Sequence, residues 1–429
     1  MTTQLTRRSF LTRATAGAVV VAFPTIVPQT AWGGDKTAPS NRVAIGLIGC
    51  GGRMGGVAKA LSHVKGVEFV AVCDVWRPNR DGYAKRFKLP EDRTYSDFRE
   101  LVKREDIDAV AIATPDHIHV PASIAAMKAG KDVYCEKPLS NTILEGRALV
   151  DAAKRYGSVF QHGTQLHSYR GVRQACELVR NGRIGKLKQI VIGSPPGRAT
   201  GIHAEMPIPD GLDYDLWLGP APEMPYTKAR VFREKGLPGW YFISDYSKAG
   251  WIAGYGVHDL DIAQWGMGVE RSGPVAIEGK GIYPKDGLFD TVLTYDLEFT
   301  YANGVKVVMT DTGKNRHGVK FIGEDGWVFT RGGIDAHPKS LLKETIKPSE
   351  THLYNSPGHA QNFIDCIRSR GETITPAEIA HRATSTALLG GIACQLERPL
   401  RWDPKTERFI GDPVADRLLR CAMRAPWGV

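Results

Sequence analysis

Val43-Ala-Ile-Gly-Leu-Ile-Gly-Cys-Gly-Gly-Arg-Met-Gly-Gly56 decides how the rest of the chain is read. A run of branched apolar residues breaks into glycines, and a helix-forming segment, Val57 to His63, follows. That is the sequence form of a buried strand turning into a helix whose N-terminus can hold a pyrophosphate. Gly49 permits the tight turn, and Gly51, with Gly52 beside it, lets the backbone come close to the phosphates. Met54 stands at the third fingerprint position, where glycine is usual. A glycine turn of this kind is a weak signal alone, since many α/β folds contain one. A second apolar run, Val67 to Cys73, strengthens it by ending in Asp74, 74 − 49 = 25 residues after the first glycine. A carboxylate there can accept the hydroxyls of an adenosine ribose and repels a 2′-phosphate. NAD is therefore expected rather than NADP, although Arg77 and Arg80 lie close enough in sequence to compensate a phosphate.

Working outward, 429 residues leave room for two domains with sizeable cores. Hydrophobic residues at 42% and charged residues at 24% are ordinary for a globular protein. The net charge of +10 comes from 56 basic against 46 acidic residues without a long basic run. It reads as solubility, and no nucleic-acid partner is expected. Seven cysteines, at 50, 73, 135, 176, 366, 394 and 421, are scattered singly. Small buried thiols are the expectation, with neither disulfides nor a metal site.

Residues 1–34 read as a targeting segment. Thr6-Arg-Arg-Ser-Phe-Leu11 carries paired arginines, Ala14 to Val27 is a modest apolar stretch, and Ala31-Trp-Gly33 offers small residues for cleavage. The apolar stretch is too short for a stable membrane span. The pattern resembles a twin-arginine export signal, so a periplasmic or otherwise exported protein is expected. Residues 35–41 form a linker.

Strands and helices then alternate, as a doubly wound parallel sheet requires, over 42–161. Ile107 to Ala113 is a buried strand ending at Thr114-Pro-Asp-His-Ile-His119, and Asp132-Val-Tyr-Cys135 is a shorter one ending at Glu136-Lys-Pro-Leu139. Thr142 and Glu145 form a capping box for a helix stopping at Gly157. From 162 to 429 the pattern becomes that of a second α/β domain with a large, open, mostly antiparallel sheet. Asn303-Gly304 and Asp325-Gly326 mark two hairpins. Thr375-Pro-Ala-Glu378 caps a long helix, and Gly390-Gly391 inside it implies a close backbone contact.

Two positions carry chemistry. Lys137 stands at the C-terminal end of a parallel strand, where open α/β sheets bind their ligands. A desolvated lysine beside a nicotinamide can donate a hydrogen bond to a hydroxyl oxygen and stabilise an alkoxide. His258, in Gly256-Val-His-Asp-Leu-Asp261, opens a helix and shares one face with Asp261, Ile262 and Trp265. It can act as acid or base near neutral pH.

Together these features resemble the glucose–fructose oxidoreductase, inositol dehydrogenase and MocA family (Gfo/Idh/MocA) over nearly the whole chain. The resemblance rests on the Gly49–Met54 turn, Asp74, Thr114-Pro-Asp-His, Glu136-Lys-Pro, Asp213-Tyr-Asp-Leu-Trp-Leu-Gly-Pro220, His258 with Asp261, and His359-Ala-Gln-Asn-Phe363. Arg398-Pro-Leu-Arg-Trp-Asp-Pro404 is similar to the tail of exported bacterial members. The resemblance implies Lys137 and His258 as catalytic residues. It implies a dinucleotide held by Gly49, Gly51, Gly52, Arg53, Met54, Asp74, Thr114, Pro115, His119, Glu136 and Lys137. Gln165, Tyr255, Asp259 and His359 are expected on the substrate side, and a homo-oligomer, dimer or tetramer, is implied. One position departs from the pattern. Many dehydrogenases of the family carry Asp four residues before the histidine, and here it is Gly254. His258 therefore lacks its usual carboxylate partner unless Asp259, Asp245 or a residue from elsewhere substitutes.

An exported enzyme has no soluble nicotinamide pool, so its cofactor must be held tightly and restored in each turnover. The expected function is a sugar oxidoreductase with retained NAD that acts on a carbohydrate hydroxyl. An NAD-dependent glycosidase working by transient oxidation, elimination, water addition and re-reduction is the alternative. A carbohydrate-binding relative without catalysis is the second.

Overall fold

The computed structural model describes residues 41–233 and 237–428. The export signal and nearly all of the linker expected before Arg42 lie outside the described residues.

The first half is a six-stranded parallel sheet in the order β3-β2-β1-β4-β5-β6. Its strands are β1 (Val43–Ile48), β2 (Val67–Cys73), β3 (Thr94–Tyr95), β4 (Ala109–Ile112), β5 (Asp132–Cys135) and β6 (Phe160–His162). Near-continuous apolar runs such as Ala109-Val-Ala-Ile112 suit a sheet covered on both faces, which parallel crossovers supply. Ile48, Val110, Ile112 and Val133 pack on one side, with Ile118 and Val120 of helix Asp116–Lys128. Ile45, Leu47 and Ala111 pack on the other, with Met54, Val57 and Leu61 of helix Gly52–Ser62. The strand order reverses between β1 and β4, which opens a crevice outside their C-terminal ends.

The second half is built on a nine-stranded mixed sheet in the order β13-β12-β11-β7-β10-β9-β8-β14-β15. Its strands are β7 (Leu187–Ser194), β8 (Ala276–Ile282), β9 (Thr294–Thr300), β10 (Lys306–Asp311), β11 (Gly318–Gly323), β12 (Trp327–Thr330), β13 (Ile334–His337), β14 (Leu400–Asp403) and β15 (Arg408–Phe409). Only β7 and β10 pair in parallel. Alternation sorts the faces: Tyr295, Leu297, Phe299, Val307 and Met309 are buried, while Asp296, Glu298 and Lys306 form ion pairs on the opposite side. Both expected hairpins form, and at the first Gly304 adopts φ +82° while Asn303 Oδ1 accepts the Val305 amide at 3.1 Å. Among the described residues no helix is long and apolar enough to cross a membrane.

Two local expectations change. Helix His359–Ser369 returns to the first half, where Phe363, Ile364 and Ile367 join the cluster beneath β1. The division at residue 161 is therefore not a clean break in space, because an amphipathic pattern shows that a helix has an apolar face but not which sheet receives it. Thr375 does not cap the long helix, Ala377–Leu396. Its hydroxyl donates to the His162 carbonyl at 3.0 Å, and Glu378 pairs with Arg147 at 2.7 Å and Arg382 at 2.6 Å. The Thr142 cap does form, accepting the Glu145 amide at 3.4 Å.

The close contact implied by Gly390-Gly391 is present. A Cβ on Gly390 would meet Leu297 Cδ1 at 2.9 Å and Phe299 Cζ at 3.0 Å. Gly390→Ala should gain up to about 1 kcal/mol in helix propensity, yet overpacking costs about 1–3 kcal/mol. A net loss of about 1 kcal/mol is expected in urea unfolding. A more stable variant would show that Leu297 and Phe299 swing aside freely.

Candidate functional site

A cavity of about 640 Å³ crosses the C-terminal ends of β1, β2, β4 and β5 and is roofed by residues from 212–233 and 237–241 of the second half. At its centre Gly49 holds φ +81°, and a Cβ there would lie 2.8 Å from the Thr114 amide nitrogen. Glycine is needed twice over, for the dihedral and for the approach of the β4 loop. A Cβ on Gly51 or Gly52 would meet nothing within 4 Å, and no side chain caps the helix that begins at Gly52. Bare backbone at a helix N-terminus facing a cavity is an anion cradle.

Asp74 lies in the same wall. Its Oδ2 accepts the Cys50 amide at 2.6 Å, its Oδ1 the Trp76 amide at 2.8 Å, and Asn79 Nδ2 makes a long contact at 3.4 Å. A carboxylate has about four acceptor sites, so one stays open, and a ribose hydroxyl could displace the long Asn79 contact. Burial pushes this carboxyl up to about 6, with the two amides pulling it back. Arg80 donates to Asp74's own carbonyl at 3.0 Å, and Arg77 packs against Gly211. Neither arginine pairs with the Asp74 carboxylate. These residues fit a dinucleotide.

Two residues expected at the cofactor sit elsewhere. Met54 is fully buried in the cluster under β1 and does not line the cavity, because the residue at the third fingerprint position points into the helix–sheet interface. His119 is also buried. Its Nδ1 lies 2.7 Å from the Pro138 carbonyl and its Nε2 3.0 Å from that of Thr114, and burial pushes its pKa down to about 4. The ring ties the loops after β4 and β5 together, leaving Thr114 and Pro115 to line the cavity.

Past the β4 loop stand the charged residues. Arg53 reaches across the glycine turn to Glu136 at 2.7 Å, and Gln165 donates to Glu136 at 3.0 Å. Burial alone would raise the Glu136 carboxyl, but Arg53, joined by Lys137 and His119, holds it below its ordinary value. Lys137 Nζ donates to the Gly254 carbonyl at 2.8 Å and lies 5.6 Å from the centre of the Tyr241 ring. Burial lowers its pKa, with Glu136 and Asp116 opposing. Asp116, 1% exposed, lines the cavity too. Ser247 donates to its Oδ2 at 2.7 Å, while Oδ1 is buried without a partner. Burial pushes this carboxyl up to about 7, against the pull of Lys137.

On the expected substrate side the structure separates what the sequence grouped. His258 does not line the cavity, and its Nδ1 is buried without a hydrogen-bond partner. Burial, then the positive charges of Lys137 and Arg331, push its pKa well below the ordinary value. Among the described residues no carboxylate pairs with His258 in place of the one missing at Gly254. Asp259 faces Arg331 at 3.4 Å, Asp261 pairs with His167 at 3.0 Å, and the charged groups acting on the Asp245 carboxyl are Asp290, Lys248 and Arg230. A Cβ on Gly254 would come within 3.2 Å of the Trp251 ring, so the glycine also serves close packing. His359 lies 2.8 Å from the His162 carbonyl and 3.0 Å from the Ser168 hydroxyl, which makes it a tie between segments rather than a substrate contact. Tyr255 packs edge-on to Trp251 at 5.3 Å beneath Arg331.

The comparisons agree with the fold. Residues 197–429, more than half of the chain, match the Gfo/Idh/MocA family described as "Oxidoreductase family, C-terminal alpha/beta domain". Residues 43–164 match its partner, "Oxidoreductase family, NAD-binding Rossmann fold". The chain belongs to the Gfo/Idh/MocA family. Among curated Gfo/Idh/MocA relatives, an alpha-N-acetylgalactosaminidase of Shewanella oneidensis is 32% identical over 152 residues, 34% of this chain and 33% of that protein. An inositol 2-dehydrogenase of Salmonella typhimurium is 29% identical over 145 residues, 34% of this chain and 42% of that protein. The matches thus span well under half of those relatives. Levoglucosan dehydrogenase, solved with NADH and levoglucosan, superposes with a TM-score of 0.62 at 18% identity, covering 84% of this chain and 99% of that one. The aldose–aldose oxidoreductase of Caulobacter crescentus gives 0.61 at 16% identity over 84% and 99%. At such identity these structures share the fold.

Within this Gfo/Idh/MocA chain, sequence reasoning missed several wall residues. Asp116 stood in the quoted Thr114-Pro-Asp-His motif, and a carboxylate just past a strand's C-terminal end was the signal that could have found it. Trp217 stood in the quoted Asp213–Pro220 motif without being assigned to the site, while Phe232, Trp240 and Tyr241 come from the rest of the irregular segment after Pro195, where only the density of aromatics gives a hint. Ser247 and Trp427 carry no motif.

Proposed function

We propose that the chain is an oxidoreductase that retains NAD and acts on a hydroxyl of a sugar or sugar derivative. The observation that carries the reading is the continuity of one cavity, from the bare glycine turn and Asp74 to Lys137, Asp116 and the rings of Trp240 and Tyr241. NAD, when bound, supplies the hydride acceptor. Lys137, its pKa lowered by burial, passes an ammonium proton to the Asp116 carboxylate and takes the hydroxyl proton in its place, and the same transfers run in reverse when a carbonyl is reduced. The aromatic rings offer flat apolar faces of the kind a sugar's C–H surface covers. Asp74 favours NAD over NADP, since Arg80 is turned onto the Asp74 carbonyl and neither Arg77 nor Arg80 lines the cavity. The Arg7-Arg8 pair supports export, and export without a nicotinamide pool supports a cofactor that stays bound.

The redox-neutral glycosidase is the second reading. It is favoured by the likeness to the alpha-N-acetylgalactosaminidase and by a His258 with no carboxylate partner. Turnover on a panel of sugars and glycosides separates the two: a keto product marks the oxidoreductase and a released aglycone the glycosidase. Denaturing the purified protein should also release dinucleotide into the supernatant. Protein that neither carries nor binds NAD would defeat both readings.

A further inference from the structure

The cavity does not stop at Asp74. It continues towards β3, where its wall is Val75, Trp76, Ser96, Asp97, Phe98 and, from the far end of the chain, Trp427. A dinucleotide with its pyrophosphate over Gly51 and Gly52 and a ribose at Asp74 directs its other half towards Lys137. Its adenine therefore falls in the compartment on the β3 side.

Trp427 reaches that compartment from the second half. Its ring centre lies 6.0 Å from that of Phe98, and Arg99 Cζ lies 4.9 Å from it. The tail before it is tied down by Arg424. The Arg424 amide donates to the Pro220 carbonyl at 2.9 Å, Nε to the Gly219 carbonyl at 3.2 Å and Nη2 to the Asp215 carbonyl at 2.9 Å. Nη1 completes the set on the Asp215 carboxylate. The segment that receives Arg424 is itself laced to the residues following Asp74. Arg77 donates its amide to the Gly211 carbonyl at 2.8 Å, and Asp213 donates to that of Val75 at 2.9 Å. The adenosine end is thus closed by two crossings of the chain that lean on one another.

We infer that the C-terminal tail is the clasp of the dinucleotide site, with Trp427 walling the adenine compartment and Arg424 fastening the tail to the 211–220 segment. The inference rests on the dinucleotide reading and supplies the retention that reading needs. A dinucleotide held this way is released from its adenosine end when Trp427 lifts from Phe98 or the 211–213 segment parts from 75–77.

The test is the release rate of NADH from loaded protein, followed by its fluorescence after dilution into excess unlabelled NAD. Trp427→Ala should release NADH about 10- to 100-fold faster, the size expected for one lost aromatic stack on a base. Arg424→Ala, which keeps the ring but frees the tail, should also accelerate release, and Trp427→Phe should stay near wild type. The three variants stripped of NAD should melt like the stripped wild type. Unchanged release from Arg424→Ala and from a folded Trp427→Ala overturns the clasp and leaves the cofactor reading standing. Should Trp427→Ala fail to fold, Arg424→Ala decides alone. Wild-type protein that binds no NADH removes the cofactor reading, and the clasp with it.

Discussion

Lys137→Met is expected to leave the protein loaded with NAD and to slow reduction of that NAD by a sugar about 10²- to 10⁴-fold. Methionine keeps an unbranched chain of similar length, so the packing beside Tyr241 changes little. What disappears is the donor that meets the reacting oxygen. The native ammonium hydrogen-bonds the Gly254 carbonyl at 2.8 Å, so the variant also leaves that acceptor without a partner and should lose about 1–3 kcal/mol of stability. The two effects separate cleanly, because stability is read by urea unfolding and chemistry by single-turnover reduction. A cation acts mainly where negative charge develops, in the transition state, so NAD content should stay near that of wild type. A variant with wild-type reduction rate and reduced stability would leave Lys137 as nothing more than an anchor between β5 and helix Gly250–Gly254.

The fold was legible from residues 43–161 because each buried parallel strand is a short apolar run that ends in a turn signal. Gly49, Asp74, Thr114 and Lys137 were legible for the same reason: the crevice of such a sheet lies just past its strand ends. Side-chain partners were not legible. Met54 and His119 occupy motif positions, yet burial turns one into the core and the other onto two carbonyls. The pairing of Asp261 with His167, 94 residues away in sequence, is a tertiary fact that no spacing along the helix discloses. The roof is the extreme case, since Trp240 and Trp427 arrive from segments without period or motif, Trp217 sits in a motif that discloses no cavity wall, and only packing places them.

Asp116→Asn tests the carboxylate that spacing overlooked, and the direction of its effect follows from linkage. In the folded protein burial pushes the carboxyl from 3.8 to about 7, while Lys137 and the Ser247 hydroxyl pull it down and Glu136 adds to the rise. Cys135 and Tyr241 are the other titratable groups that feel its charge. Between about pH 4 and pH 7 the folded protein therefore binds a proton that the unfolded chain has released. The group's contribution to stability is full below its unfolded value and is lost as pH rises through its folded one. Asparagine does not titrate, and its amide oxygen can still accept from Ser247. Stability of wild type minus variant should fall across that window, by ~4 kcal/mol at most for a shift of about three units. The kinetic counterpart appears above pH 7, where only the wild type has an ionised acceptor for the Lys137 proton. There the variant should reduce its bound NAD about 10- to 100-fold more slowly and lose the rise of rate with pH. Unfolding curves measured from pH 4.5 to 8 need no substrate. If the wild-type and variant stabilities run parallel across that range, Asp116 is ionised throughout it, the raised carboxyl is refuted, and a rise of rate with pH must come from another group.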